Sequence, residues 1–236
     1  EIAQCLVGSE MCIRDRWKKG WQAGLDYQFD YKDIDIYNEG RRTLNVTFTH
    51  HQVDAGVARD WNKLQINGGI SFEHYNYNDL LSLEPVEGVM FRNESLFSYY
   101  VGLLYNSLNG RSVPTKGMSW SAQYRLYTDN LFQYKDGNPV SVLSASWMGC
   151  FTPWKNFTVM PSVDGRMLAG NSRYTFAMAN LVGGDIAGRY MPQQIPFVGI
   201  KRAEIALDRL VVAALSLRPQ IVCLLYTSDA ADDMQC

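Results

Sequence analysis

The sequence predicts an all-β fold, an antiparallel up-and-down transmembrane β-barrel that is incomplete. Apolar and polar side chains alternate along long segments, turn-forming residues separate these segments, and aromatic residues make up 13% of the chain. Alternation places successive side chains on opposite faces of a strand, and Tyr, Phe and Trp favour strands. We therefore expect an open, curled sheet of about nine or ten strands.

The first strand shows the alternation most clearly, because every second residue from Trp21 to Tyr31 is apolar and the residues between are Gln, Gly or Asp. The pattern recurs, more weakly towards the end, over residues 44–49, 64–73, 97–105, 118–126, 143–147, 157–163 and 211–217. Residues typical of turns lie at 38–40, 109–110, 136–139 and 152–153. Short turns between consecutive strands predict antiparallel neighbours.

A soluble β-sandwich would also alternate, but three features favour a membrane barrel. The strands are long, whereas globular strands usually run about five or six residues and tilted membrane strands need about 9–11. Tyr, Trp and Phe lie near strand ends, where interface girdles place them. The polar face suits a wet lumen, and we expect five charged residues to line it: Glu73, Asp26, Asp30, Arg125 and Arg218.

Composition and motifs exclude several functions. The net charge of −2 argues against nucleic acid as a partner, and a mean hydropathy of −0.20 is too polar for a helical membrane protein. Without a Gly-x-Ser-x-Gly motif we predict no catalytic residues, and Asp164-Gly165 is interpreted as a turn. His50 and His51 point to opposite faces of a strand and cannot chelate a metal together, so we predict neither a metal site nor a cofactor.

The two chain ends resemble translated DNA of a transposon-type sequencing adapter. Residues 11–16 correspond to a string containing ATGTGTATAAGAGACA, and residues 223–228 to TGTCTCTTATACACAT, its reverse complement. We therefore predict that residues 1–16 and 223–236 are adapter-derived and that residues 17–222 are a partial barrel. Four of the five cysteines lie in or beside these ends, which leaves Cys150 and no disulfide framework.

Two segments carry a resemblance to a known family. Residues 106–117 resemble the periplasmic turn of the bacterial surface-antigen barrels, the superfamily of outer-membrane assembly factors, in which Pro-x-x-Gly leads into the next strand. The resemblance assigns these positions to Pro114, which has a fixed φ, and Gly117, which permits a tight backbone.

The second segment resembles the long loop that folds back into these barrels and pairs an Arg with interior acids. The family has Arg-Gly-aromatic, and this chain has Gly-Arg-Tyr instead. The longer pattern is most similar to the barrel of Bacteroidota patatin-like phospholipases. The resemblance assigns the loop motif to Gly183, Gly184, Gly188, Arg189, Tyr190, Gln194, Pro196 and Phe197.

The resemblance implies a fragment that embeds in the lipid of the bacterial outer membrane and is not itself an enzyme. Its parent would anchor or export a patatin-like phospholipase, carried with a periplasmic module, or would assist outer-membrane protein assembly. Two alternatives stay open: a passive porin or transporter barrel without the inward loop, and a soluble β-sandwich that binds carbohydrate.

Overall fold

The computed structural model describes residues 2–7, 10–16, 20–82, 91–110, 113–154, 156–170, 175–184, 193–201 and 203–219. Thirteen strands lie in this part of the chain: β1 Ile2–Val7, β2 Glu10–Arg16, β3 Trp21–Asn38, β4 Arg41–Trp61, β5 Leu64–Ser82, β6 Glu94–Asn106, β7 Gly117–Thr128, β8 Val140–Trp154, β9 Phe157–Ala169, β10 Asn180–Val182, β11 Gln194–Ile195, β12 Ile205–Leu207 and β13 Arg209–Pro219. No helix in the described residues has the length and apolarity to cross a membrane.

Ten strands form one curled sheet in the order β1-β2-β3-β4-β5-β6-β7-β8-β9-β13. All neighbours pair antiparallel, and no described pairing joins the two outer strands. The predicted fold class, an open antiparallel sheet of the barrel type, is confirmed. The alternative prediction of a β-sandwich is wrong, because the long strands belong to one sheet and not to two packed sheets.

The main sheet has ten strands, but not all of them come from the predicted barrel segment. Residues 17–222 contribute eight long strands to the main sheet, β3 to β9 and β13, and the other two are β1 and β2. Residues 2–7 and 10–16 thus join the main sheet, although they lie outside the predicted partial barrel of residues 17–222. β1 pairs with β2, and β2 pairs with residues 22–28 of β3. The free edge of β3 offers backbone donors and acceptors, which any extended segment can satisfy.

Connections of different length mark the two ends of the sheet. The short-turn end contains connections 62–63, 107–116 and 155–156, and the loop end contains 39–40, 83–93, 129–139 and 170–208. At the loop end, Glu39 and Gly40 both have positive φ, as a two-residue hairpin turn requires. Two predicted turns are wrong: Thr152-Pro153 lies in β8 and Asp164-Gly165 in β9. Asp164 and Gly165 pair with both neighbouring strands, and this pairing outweighs the local turn preference. Thr152 and Pro153 lie at an irregularity in the pairing of β8 with β9, between Phe151 and Trp154.

The strands β3 and β4 are 18 and 21 residues long, more than the membrane needs. We divide them into a short-turn half, residues 21–31 and 51–61, and a loop half, residues 32–38 and 41–50. In the short-turn half the apolar residues face outward, and Leu25 and Val57 are 46% and 51% exposed. In a membrane barrel such an outer face contacts lipid.

The loop half has the opposite arrangement. Leu44, Val46 and Phe48 face the concave side and are almost fully buried, together with Ile34 and Ile36 of β3. The expectation that the polar face lines the lumen is therefore wrong for this half of the two strands. The polar residues that alternate with them face outward, where Asn45 donates to Asp35 at 2.9 Å. The inner apolar residues instead pack against chain that enters from the loop end.

Candidate functional site: the lumen and its inserted segment

The concave side of the sheet is occupied by residues 175–184, which we call the inserted segment. Residues 175–183 are all buried, most of them below 5% exposure. The segment begins with a tight turn in which the backbone N–H groups of Met178 and Ala179 donate to the Thr175 carbonyl at 3.0 and 3.2 Å. It continues as β10, the central strand of a small sheet between β11 and β12. This pairing satisfies a backbone that would otherwise be buried without partners.

Arg166 of β9 attaches the inserted segment to the wall. Its Nη1 donates to the Asn180 side-chain oxygen at 2.6 Å and to the Met178 carbonyl at 3.2 Å. The Asn180 amide nitrogen in turn donates to the Asp208 carbonyl at 2.8 Å and to the Arg166 carbonyl at 3.3 Å. Asn180 is fully buried, so both ends of its amide need these partners.

A second attachment lies where the segment begins. The Thr175 hydroxyl donates to Glu94, and the Tyr134 hydroxyl donates to the same carboxylate at 3.4 Å. Burial, with the Glu94 carboxylate nearby, raises the pKa of Tyr134, so its phenol remains a proton donor. Phe176 packs on Phe91 with ring centroids 4.8 Å apart.

Gly183 and Gly184 end the segment, and their backbone has positive φ, +127° and +82°. A Cβ on Gly183 would lie 1.8 Å from the Lys201 carbonyl oxygen, which no side chain tolerates. The returning chain bonds to the pair: the Phe197 N–H donates to the Gly184 carbonyl at 2.9 Å, and the Gln194 side chain donates to the Gly183 carbonyl. Pro196 lines the cavity below.

A polar network lies on the inner wall below the apolar core. Arg125 Nη1 donates to Glu73 at 2.9 Å. The Tyr75 hydroxyl donates to the same carboxylate at 3.2 Å, and the His50 ring stacks on Tyr75 with centroids 4.3 Å apart. His50 lies 3.6 Å from Asp30 and 3.7 Å from Glu73. Each charged group therefore has a neighbour of opposite sign or a hydrogen-bonding partner.

A cavity of about 410 Å³ separates this network from the returning chain. Glu73, Arg125 and Arg166 line it from the wall, and residues 193–196 close it on the loop side. The predicted lumen lining is confirmed for Glu73, Arg125 and Asp26, the last of which lines a smaller cavity near the short-turn end. Arg218 donates to the Pro114 carbonyl of the turn between β6 and β7. Among the described residues no group of His, Cys, Asp and Glu has the arrangement of a metal site.

The comparisons with known proteins agree with this architecture. The profile of the OMP85 superfamily matches residues 21–229.

The chain belongs to the OMP85 superfamily.

It is thus a barrel protein of the bacterial outer membrane. Among solved structures, the chain is similar to BamA from Haemophilus ducreyi lacking POTRA domains 1-3, with a TM-score of 0.63 and 12% sequence identity. The match covers 92% of this chain and 46% of that one, so the chain spans about half the length of the solved structure. At this identity the similarity shows a common fold. Comparison with curated proteins gives no match.

The turn assigned to the superfamily has a compact geometry. Gly117 has a φ of +113°, and a Cβ there would lie 2.3 Å from the Ser107 carbonyl oxygen. The Asn109 side-chain oxygen accepts from the N–H groups of Thr115 and Lys116 at 2.9 and 3.0 Å. The Pro114 carbonyl accepts from the Cys150 thiol at 3.1 Å. The turn is therefore bonded within itself and to β8.

The loop motif of this OMP85 protein is only partly described. Gly183, Gly184, Gln194, Pro196 and Phe197 are placed as above, whereas Gly188, Arg189 and Tyr190 lie outside the described residues. Sequence reasoning missed the pair Arg166 and Asn180. The available signal was Asn180 itself, a single polar residue within an apolar run from Phe176 to Val182.

Proposed function

We propose that this chain is the membrane-embedded part of an outer-membrane barrel whose lumen is closed by its own loop. The observation that carries the proposal is the inserted segment, bonded to the wall through Arg166 and packed on the inner apolar core. The outward apolar band matches lipid, and the inner polar wall matches water. The role of the fragment is then membrane embedding and support of the inward loop.

The loop motif completes this proposal. In it, Arg189 with its neighbours Gly188 and Tyr190 braces the lumen, and the inner acids are its partners. Gly183 and Gly184 let the loop turn back, and Gln194, Pro196 and Phe197 carry it past the cavity. Pro114 and Gly117 form a periplasmic turn, since outer-membrane barrels have short periplasmic connections and longer outer loops. The short-turn end is then periplasmic.

The parent protein is proposed to anchor or export a patatin-like phospholipase, or to assist outer-membrane protein assembly. Superfamily membership supports an assembly or export barrel with periplasmic modules. The Gly-Arg-Tyr pattern, followed by Gln-Gln-Ile-Pro-Phe at residues 193–197, favours the patatin type. A passive porin is the weaker candidate, because it was expected to lack the inward chain that residues 175–184 provide.

Reconstitution of the full chain tests the embedding. In vesicles of phosphatidylethanolamine and phosphatidylglycerol, it should resist carbonate extraction, and phospholipids with brominated acyl chains should quench its tryptophans. Solubility of the folded chain without detergent would contradict the proposal.

Hydrogen exchange tests the closed lumen. The amides of residues 176–183 should be strongly protected in the reconstituted chain. Gly183→Ala should remove that protection, because its Cβ would collide with the Lys201 carbonyl. Gly110→Ala is the matched control, since a Cβ there has no contact closer than 3.5 Å. Fast exchange of the segment in the unmodified chain would argue for an open pore.

Sequencing the genomic locus tests the parent and the proposed adapter origin of residues 1–16 and 223–236. A Gly-x-Ser-x-Gly motif in a strand-turn-helix context upstream supports the lipase branch, and periplasmic repeats alone support the assembly branch. Native codons continuous through either end of the chain would overturn the adapter origin.

A further inference from the structure

The outer face near the short-turn end is rich in aromatic side chains. They come from β3, β4, β6, β7 and β8 and are exposed or half-buried: Trp21, Trp61, Tyr105, Trp120, Trp147 and Trp154. Tyr105 and Trp120 stack with ring centroids 5.9 Å apart. Such a belt marks the level of lipid head groups in a membrane barrel.

The cation Arg59 lies within this belt. Arg59 of β4 is paired across the ladder with Trp21 and shares its outward face with Trp61. Its guanidinium carbon lies 4.4 Å from the centroid of the Trp61 ring and 5.2 Å from that of Trp21. A lipid-facing Arg costs about 2–4 kcal/mol at the bilayer midplane and about 0–1 near the interface. Arg59 is therefore at a depth where its charge is tolerated.

No acidic side chain of the described residues neutralises Arg59. Among the described residues it forms no ion pair, and its Nε is buried without a hydrogen-bond partner. The adjacent Asp60 points to the other face, where its carboxylate accepts from Gln22 and, at 2.7 Å, from Gln65. Those two amides hold Asp60 in the lumen, so the guanidinium is left available to an anion from outside the chain.

We propose that Arg59, held between Trp21 and Trp61, binds the phosphate of a phospholipid in the leaflet at the short-turn end. A guanidinium offers parallel N–H donors that fit phosphate oxygens, and the flanking rings keep its plane fixed. The acyl chains lie along the adjacent outer band, where Leu25 and Val57 are exposed. Because this apolar surface adjoins Arg59, the site should bind a phospholipid more tightly than free phosphate. The site needs the outer face to lie in lipid but needs neither the inserted segment nor any particular parent.

Native mass spectrometry of the full chain released from detergent micelles tests the site. The probes are dioleoyl phosphatidylglycerol, dioleoylglycerol, which lacks the phosphate, and inorganic phosphate. The unmodified chain should bind the phospholipid and neither of the others at the same concentration. Arg59→Gln should weaken phospholipid binding by about tenfold, the effect of losing a hydrogen bond to a charged group.

Arg42→Gln is the matched control, because Arg42 also faces outward but already pairs with Asp35 at 2.7 Å. It should leave phospholipid binding unchanged. Equal binding by Arg59→Gln, equal binding of dioleoylglycerol, or equally tight binding of inorganic phosphate would each overturn the proposal. If Arg59→Gln does not fold, Arg59→Lys keeps the charge and loses the planar fork. It should bind the phospholipid about threefold more weakly, and undiminished binding would contradict the site.

Discussion

The two halves of β3 and β4 bury opposite kinds of side chain. In the short-turn half, Leu25 and Val57 are exposed on the outer face, and Asp26 and Gln52 face the lumen. In the loop half the inner face is an apolar core that includes Val46 with no exposed surface. The backbone pairing continues through both halves, apart from one irregularity at Ile36/Tyr37.

This difference shows what an alternating pattern encodes. Alternation shows that a strand has one apolar and one polar face. Which of the two faces points inward depends on whether lipid, water or other chain contacts each face. Residues 21–31, whose apolar side is outward, have about the length of a tilted membrane strand, about 9–11 residues. Beyond them the strands project past the lipid, where an apolar outer face would meet water. There the inserted segment covers the apolar face of the strands from the inside, in place of lipid on the outside.

The largest expected effect is on the inner core of the loop half. Phe48 is buried and packs on the rings of Tyr75 and Tyr77. Phe48→Ala should lower the free energy of unfolding by about 3–5 kcal/mol, because it leaves a cavity. Val57→Ala, on the exposed outer face of the same strand, should cost less than about 1 kcal/mol. Guanidinium unfolding in detergent micelles measures both, and equal losses would contradict the assignment of the two faces.

A smaller loss is expected at Glu73, where the polar lumen meets the apolar core. Glu73→Ala leaves the partly buried Arg125 without its carboxylate and should cost about 2–4 kcal/mol. The double variant with Arg125→Met should recover most of the loss, because neither charge then remains. The unfolding free energies of the four proteins form a double-mutant cycle. Strict additivity would show that the pair is not coupled.

The outward faces of the two halves should respond differently to charge. Val53 faces outward between Tyr27 and Phe72, and Val53→Arg should cost about 2–3 kcal/mol in lipid. Thr47 is outward in the loop half of the same strand, and Thr47→Arg should change stability by less than about 0.5 kcal/mol. Unfolding in vesicles compares them. A similar cost at both positions would mean that lipid covers the loop half as well.

The smallest effect is expected for the outward ion pair of the loop half. Arg42 and Asp35 are 2.7 Å apart, and the Arg42 side chain is about half exposed. Arg42→Gln should therefore lower stability by about 0–1 kcal/mol, and salt should reduce this difference. A loss above that range, insensitive to salt, would indicate that the loop half is shielded from water.

Much of the fold was predictable because strand period is a local property. The eight long strands from Trp21 to Pro219 lie where alternation was found, and the lumen positions of Glu73 and Arg125 follow from their parity in β5 and β7. The partnership of Arg166 with Asn180 was not predictable. It joins two segments whose contact depends on how a long loop re-enters the sheet.

By itself, the sequence determined an antiparallel sheet with two unlike faces, its register of alternation and the positions of most turns. These depend on side-chain parity and local backbone preference, which are properties of neighbouring residues. Only the tertiary structure decided that Leu44, Val46 and Phe48 face inward and that Arg166 binds the inserted segment. The side of an apolar face depends on what covers it, and here the cover comes from chain more than a hundred residues away along the sequence.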